Sequence, residues 1–174
     1  WNSFLNPERP EHKPTSAMLL GTLTHCAVLE PDELTKRFVA VSSRTTKKGK
    51  EEAKEVEEKG MTAVTESDMA NAIKMRDAVF AEPHAKKLLS FGIAEKSYWW
   101  EDTTSGLTCK CRPDWLNKET IVDLKTSRTG ANPRDFAKAV ANFKYHLQAA
   151  HYLSGISSAK RFIFLVVQSE YPFD

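Results

Sequence analysis

The eight residues from Glu119 to Thr126, ETIVDLKT, set the strictest condition on any fold this chain can adopt. The run is strand-like, and side chains on a strand alternate between two faces. Val122 and Leu124 therefore point together into apolar packing, while Asp123 and Lys125 project together from the other side. A fold that uses this strand must bury one face and still find a place for an acid and a cation on the opposite one. Two readings stay open on the residues alone. The pair is either a salt bridge on a surface strand or an acid and a cation held together for chemistry.

The segments around this strand alternate between strand and helix signals. AEKSYWWED and GLTCKCRPDWL flank a Thr-Thr-Ser-Gly turn, so residues 94–116 read as a hairpin. After the GANP break, positions 133–154 read as one helix, with Phe136, Val140, Phe143, Leu147 and Ala150 at helical spacing. RFIFLVVQ then reads as a strand apolar enough to be buried on both faces. The first half reads as helical over about residues 1–92, with the strand-rich part over about 93–170. It opens on an extended arm through Ser16 and continues as a helix, AMLLGTLTHCAVLE, that carries His25 and stops before Pro31. Residues 44–59 hold eleven charges in sixteen positions and read as a solvated helix or loop, with a DNA-facing role for Lys47, Lys48 and Lys50 as the alternative. Thr65 with Asp68 forms a capping pattern for a further helix, in which Met69, Ile73, Val79 and Phe80 face a core before Pro83.

Alternation also places Lys110, Arg112 and Asp114 on one face of the second hairpin strand, and Leu107, Cys109 and Cys111 on the other, with Pro113 a candidate bulge. If that strand neighbours ETIVDLKT, Asp114 and Asp123 converge. Two close carboxylates repel each other, and with water they suit a hard cation such as Mg²⁺ or Mn²⁺. Lys125 beside them could orient a water and stabilise developing negative charge. Gln148 and Tyr152 lie four apart on the later helix, off its apolar stripe, and form a polar pair. Trp99, Trp100 and Trp115 suit either cross-strand packing or stacking on unpaired bases.

Composition narrows the setting. The chain has 174 residues, 41% of them apolar, enough for one core, and it reads as a single domain over 1–174. Because it begins at Trp1 and ends in SEYPFD just after an apolar strand, both ends read as trimmed. Lys and Arg number 25 against 23 Asp and Glu, a net charge of +2, so any polyanion must be held by local clusters such as Lys110 and Arg112. Three cysteines make no paired framework, which fits a reducing, cytoplasmic setting, and no run suggests a membrane span or signal peptide. Cys109 and Cys111 read as buried, structural thiols rather than as a zinc site.

Taken in order, GTLTH with His25, CRPD with Asp114, VDLKT with Asp123 and Lys125, and YHLQAAHY with Gln148 and Tyr152 resemble the RecE-like exonucleases, of the exodeoxyribonuclease VIII type, within the PD-(D/E)XK nuclease superfamily. The resemblance runs from about Pro7 to the end of the chain. It implies a restriction-endonuclease-like α/β core with a central mixed β-sheet flanked by helices. It implies that His25, Asp114 and Asp123 bind Mg²⁺, or Mn²⁺, that Lys125 serves catalysis, and that Gln148 and Tyr152 order the site or the DNA. Glu95 corresponds to an additional acidic position of relatives. The implied activity is hydrolysis of linear double-stranded DNA from 5′ ends, leaving 3′ single strands for an annealing protein in recombination, from a protein that forms homo-oligomeric rings. Related nucleases of the RecB type hold an iron–sulfur cluster on four cysteines. Three scattered cysteines point away from that subclass.

Overall fold

A computed structural model describes residues 14–173, and the expected N-terminal arm falls almost wholly outside them. Helix α1 (Ser16–Leu29) begins at Thr15, whose hydroxyl accepts a hydrogen bond from the Met18 N–H, and ends where Pro31 opens the short helix α2 (Pro31–Arg37). Strand β1 (Phe38–Val41) follows. The charged segment forms helix α3 (Lys47–Glu58), seated through Gly49, Ala53 and Val56 while its other residues stay solvated. Strand β2 (Thr62–Thr65) pairs in parallel with β1, which corrects the purely helical reading of the first half. Four-residue strands carry too few alternations to stand out between strong helical signals.

Helix α4 (Glu66–Ala81) starts on the expected cap, with the Asp68 N–H donating to Thr65 Oγ1 at 3.0 Å. Its buried face is Ala72, Met75 and Val79; Phe80 is exposed rather than inward. Helix α5 (Pro83–Leu88) and the two-residue strand β3 (Ile93–Ala94) lead to a hairpin of β4 (Tyr98–Glu101) and β5 (Thr108–Cys111). Here the expected hairpin is divided. Pro113 interrupts the second strand, and β6 (Trp115–Asn117) leaves the hairpin to join another sheet. Leu107 is exposed, contrary to its expected inward direction, whereas Cys111 is buried against Leu116, Ile121 and Ile156.

The central sheet has strand order β3-β6-β7-β8, where β7 is Thr120–Ser127 and β8 is Arg161–Gln168. It is mixed: β6 runs antiparallel to β7, and β8 parallel to it. This is the α/β architecture of restriction-endonuclease-like folds, with helices packed on the sheet. Val122 and Leu124 share a core with Val28 and Leu29 of α1 and Met75 and Val79 of α4. β8 is an edge strand and only half-buried, with Val167 its one fully buried residue, so its expected burial on both faces is corrected. Its apolar run is explained by an aromatic cluster on one side, in which Phe162 and Phe164 lie 4.9 Å apart between ring centres.

The long helix expected over 133–154 is two helices, α6 (Pro133–Asn142) and α7 (Tyr145–Gly155), separated at Lys144, whose backbone is left-handed. The break turns Phe143 and Leu147 out to solvent although both belong to a continuous stripe in sequence. α7 then approaches the hairpin at Gly155. A β-carbon there would stand 2.3 Å from the Trp100 ring. Gly155→Ala is therefore expected to lower stability by about 1–3 kcal/mol through overpacking, measured as a lower midpoint in thermal or urea unfolding.

Candidate metal and catalytic site

β7 is the centre of the site because it has a partner strand on each side. Asp123 is fully buried on it, with 0% of its surface exposed. Its Oδ1 accepts a 2.7 Å hydrogen bond from Gln148 Nε2 on α7, and its Oδ2 forms an ion pair with Lys125 Nζ, without a further hydrogen-bond partner. The Lys125 side chain is 18% exposed, and its ammonium lies 4.8 Å from the centre of the Tyr145 ring. This is not a surface salt bridge.

Asp114 reaches the same place from the neighbouring strand. The β6–β7 register sets Trp115 against Val122, which brings the preceding Asp114 alongside Asp123. Asp114 lines one cleft with Arg112, as alternation suggests, although the two are not on one strand: β5 ends at Cys111 and β6 begins at Trp115, with Pro113 between them. Its Oδ2 accepts a 2.7 Å hydrogen bond from the Leu124 N–H, so the side chain takes the place of a backbone acceptor where β6 begins. His25 Nδ1, on α1, lies 3.5 Å from the same oxygen.

Glu95 completes the group. It follows β3 in a positive-φ conformation (φ 50°), and its N–H donates to the Asp114 carbonyl at 3.1 Å. A left-handed backbone at a residue other than glycine costs energy and clusters at functional sites. One ligand atom each from His25, Glu95 and Asp114 lies within 4.8 Å of the others. The expected set of His25, Asp114 and Asp123 differs from the close triad, in which Glu95 stands with His25 and Asp114, while the carboxylate of Asp123 is held by Lys125 and Gln148. Tyr152, expected beside Gln148, donates from its hydroxyl to the Arg112 carbonyl at 3.4 Å and lines the same cleft. Tyr145 was not singled out from sequence. Its position three residues before Gln148, one turn earlier on the same face, was the available signal.

The electrostatics follow from crowding. Burial, and then the neighbouring Asp123, push the Asp114 carboxyl up to about 7. Burial, and then Asp114, also raise Glu95. His25 is lowered, first by burial and then by the Lys125 charge. A neutral imidazole beside two carboxylates with a raised proton affinity is a donor set suited to a divalent cation, which would relieve the repulsion among the acids. The triad opens on a cleft of about 830 Å³, whose walls include Gly21 and Thr22 of α1 and also Arg37, Arg112 and Tyr152. The tryptophans divide: Trp100 packs against His151 with ring centres 4.7 Å apart, Trp115 joins the core below β7, and Trp99 is exposed.

Fold and site together define a protein of the restriction-endonuclease-like class. Residues 4–174 match the model of a family described as a PDDEXK-like domain of unknown function, DUF3799. The chain belongs to this family, and with it to the PD-(D/E)XK superfamily, which points to a nuclease-type function. No curated protein matches the chain. Among the described residues, no helix is long and apolar enough to cross a membrane.

The raised Asp114 carboxyl has a consequence for stability. Its folded value of about 7 lies above the ordinary aspartate value of 3.8, so between those pH values the folded protein retains a proton that the unfolded chain has released. In EDTA, stability contributed by this group is expected to be present at low pH and to fall as pH rises toward 7 and beyond. Asp114→Asn keeps an acceptor for the Leu124 N–H and removes the charge. It should raise the melting temperature in EDTA at pH 8 and flatten its dependence on pH, as read by differential scanning calorimetry.

Proposed function

We propose that the chain is a Mg²⁺-dependent deoxyribonuclease of the RecE-like type, hydrolysing linear double-stranded DNA from its 5′ ends and leaving 3′ single strands for recombination. The observation that carries the reading is the buried Asp123–Lys125 pair, set beside Asp114 at the edge of a cleft. Strand polarity and the recombination role rest on the sequence resemblance. A single-strand annealing protein is the partner that the 3′ strand calls for. A homo-oligomeric ring would gather dispersed cations such as Lys110 around the duplex.

In this proposal His25, Glu95 and Asp114 would hold the cation, Mg²⁺ or Mn²⁺, with Asp123 as the neighbouring carboxylate. When bound, such an ion lowers the pKa of water and neutralises charge on a phosphoryl oxygen. The rest is the work of the chain. Gln148 fixes one oxygen of Asp123, leaving the other to hold the Lys125 ammonium in place. Packing beside Tyr145 restricts that ammonium further, so that its charge is already oriented when negative charge builds on the phosphate. Tyr152 ties α7 to the Arg112 backbone and so keeps Gln148 in register with β7.

An end-labelled linear duplex and a closed circular duplex, each incubated with and without Mg²⁺, test the activity directly. Loss of label from the linear substrate alone, and only with Mg²⁺, is the expected outcome; cutting of the circle would instead identify an endonuclease of the same fold. Asp114→Ala and Asp123→Ala should each abolish cleavage. Lys125→Ala should slow single-turnover cleavage by on the order of 10²–10³, while duplex affinity measured in Ca²⁺ changes little. A near-parental rate for this variant would remove Lys125 from the mechanism.

A further inference from the structure

Glu95 has two claims on its one carboxylate. It belongs to the triad with His25 and Asp114, and its Oε2 also forms an ion pair with Arg112 Nε at 2.9 Å. We infer that Arg112 is a DNA-phosphate contact held in reserve by Glu95, and that cation binding at the triad releases it. The inference rests on the proposed metal-dependent action on DNA.

The two partners differ in freedom. Glu95 is pinned through its strained backbone and its hydrogen bond to the Asp114 carbonyl, so its carboxylate stays directed at the triad. The Arg112 backbone is equally fixed, lying between buried Cys111 and fully buried Pro113, with its carbonyl accepting from Tyr152. Its guanidinium is free by comparison, since the side chain is 62% exposed. Solvent-exposed ion pairs are weak, and Arg is suited to bidentate contact with phosphate. A cation that draws on the Glu95 charge therefore weakens the Arg112 pair and leaves a guanidinium on the cleft wall, where phosphate oxygens would be its next partners.

The other arginine of the cleft supplies an internal control. Arg37 is paired at 2.9 Å with Glu30, which lies outside the triad. Both arginines on the wall are thus neutralised before a cation binds, and only Arg112 is tied to a carboxylate that the cation would take. By linkage, whatever metal does for DNA affinity through Arg112, DNA does equally for metal affinity.

The test uses Ca²⁺ as the probe ion, with calorimetric titration of Ca²⁺ alone and fluorescence anisotropy of a labelled duplex in Ca²⁺ and in EDTA. Arg112→Gln should bind Ca²⁺ more tightly than the parent, by about fivefold, at the low end of usual coupling factors, because a competitor for Glu95 is gone. In EDTA its duplex affinity should match the parent. In Ca²⁺ the parent should gain about tenfold or more in duplex affinity, within the usual range of coupling, and Arg112→Gln should lose most of that gain. Arg37→Gln should leave Ca²⁺ affinity unchanged. An equal loss of duplex affinity by Arg112→Gln in Ca²⁺ and EDTA would make Arg112 a constitutive contact and overturn the inference, as would unchanged Ca²⁺ affinity. Failure of the parent itself to bind Ca²⁺ would remove the metal-dependent reading as well, which separates the two outcomes.

Discussion

A carboxylate with no exposed surface stands at the middle of the central strand, and the arrangement around it follows from the need to keep Asp123 there. Removing an ion from water costs several kcal/mol unless partners surround it. Lys125 comes from the same strand, two residues on, and requires no tertiary assembly beyond an extended backbone. Gln148 has to be delivered by α7. The helix must therefore break away from α6 at Lys144 and dock against the hairpin, with Gly155 beneath the Trp100 ring. Structural features that look local are in this way tied to one buried charge.

The opposite face of β7 makes that placement affordable in conformational terms. Val122 and Leu124 are gripped by α1 and α4, so the strand cannot rotate to expose Asp123 without unpacking the largest apolar cluster. The same grip seats α1, and with it His25, at a fixed height above the sheet. Apolar packing on one face thus sets the polar geometry of the other. The crowded acids are the cost, visible in the raised Asp114 and Glu95 carboxyls, and they make the site one that favours a positive partner, whether a proton, an arginine or a metal ion.

Much of the site was readable because strand and helix periods are rigid rules. Alternation alone placed Asp123 with Lys125 and against Val122 and Leu124, and helical spacing placed Gln148 with Tyr152. Glu95 was harder to weigh. The strand before it is two residues long, too short to show a period, and its direction depends on a positive-φ backbone that a glutamate does not announce. Phe143 and Leu147 misled for a related reason: their spacing continues the stripe of α6, but the left-handed Lys144 between them resets the phase of the helix.

Local residue pattern is enough to specify the strand that carries the chemistry, the helix that carries His25 with the proline that ends it, the cap of α4, and the residue types gathered at the site. These are local matters, decided by alternation, caps and turn residues within a few positions. Which acids stand together is set by the packing of distant segments. Pro113 sends Asp114 out of the hairpin and into the central sheet, the β6–β7 register sets it beside Asp123, and Glu95 rather than Asp123 closes the triad with His25. Contacts between strands and helices distant in sequence depend on register and docking, and their energies are summed over whole packed faces, so no short window of residues encodes them.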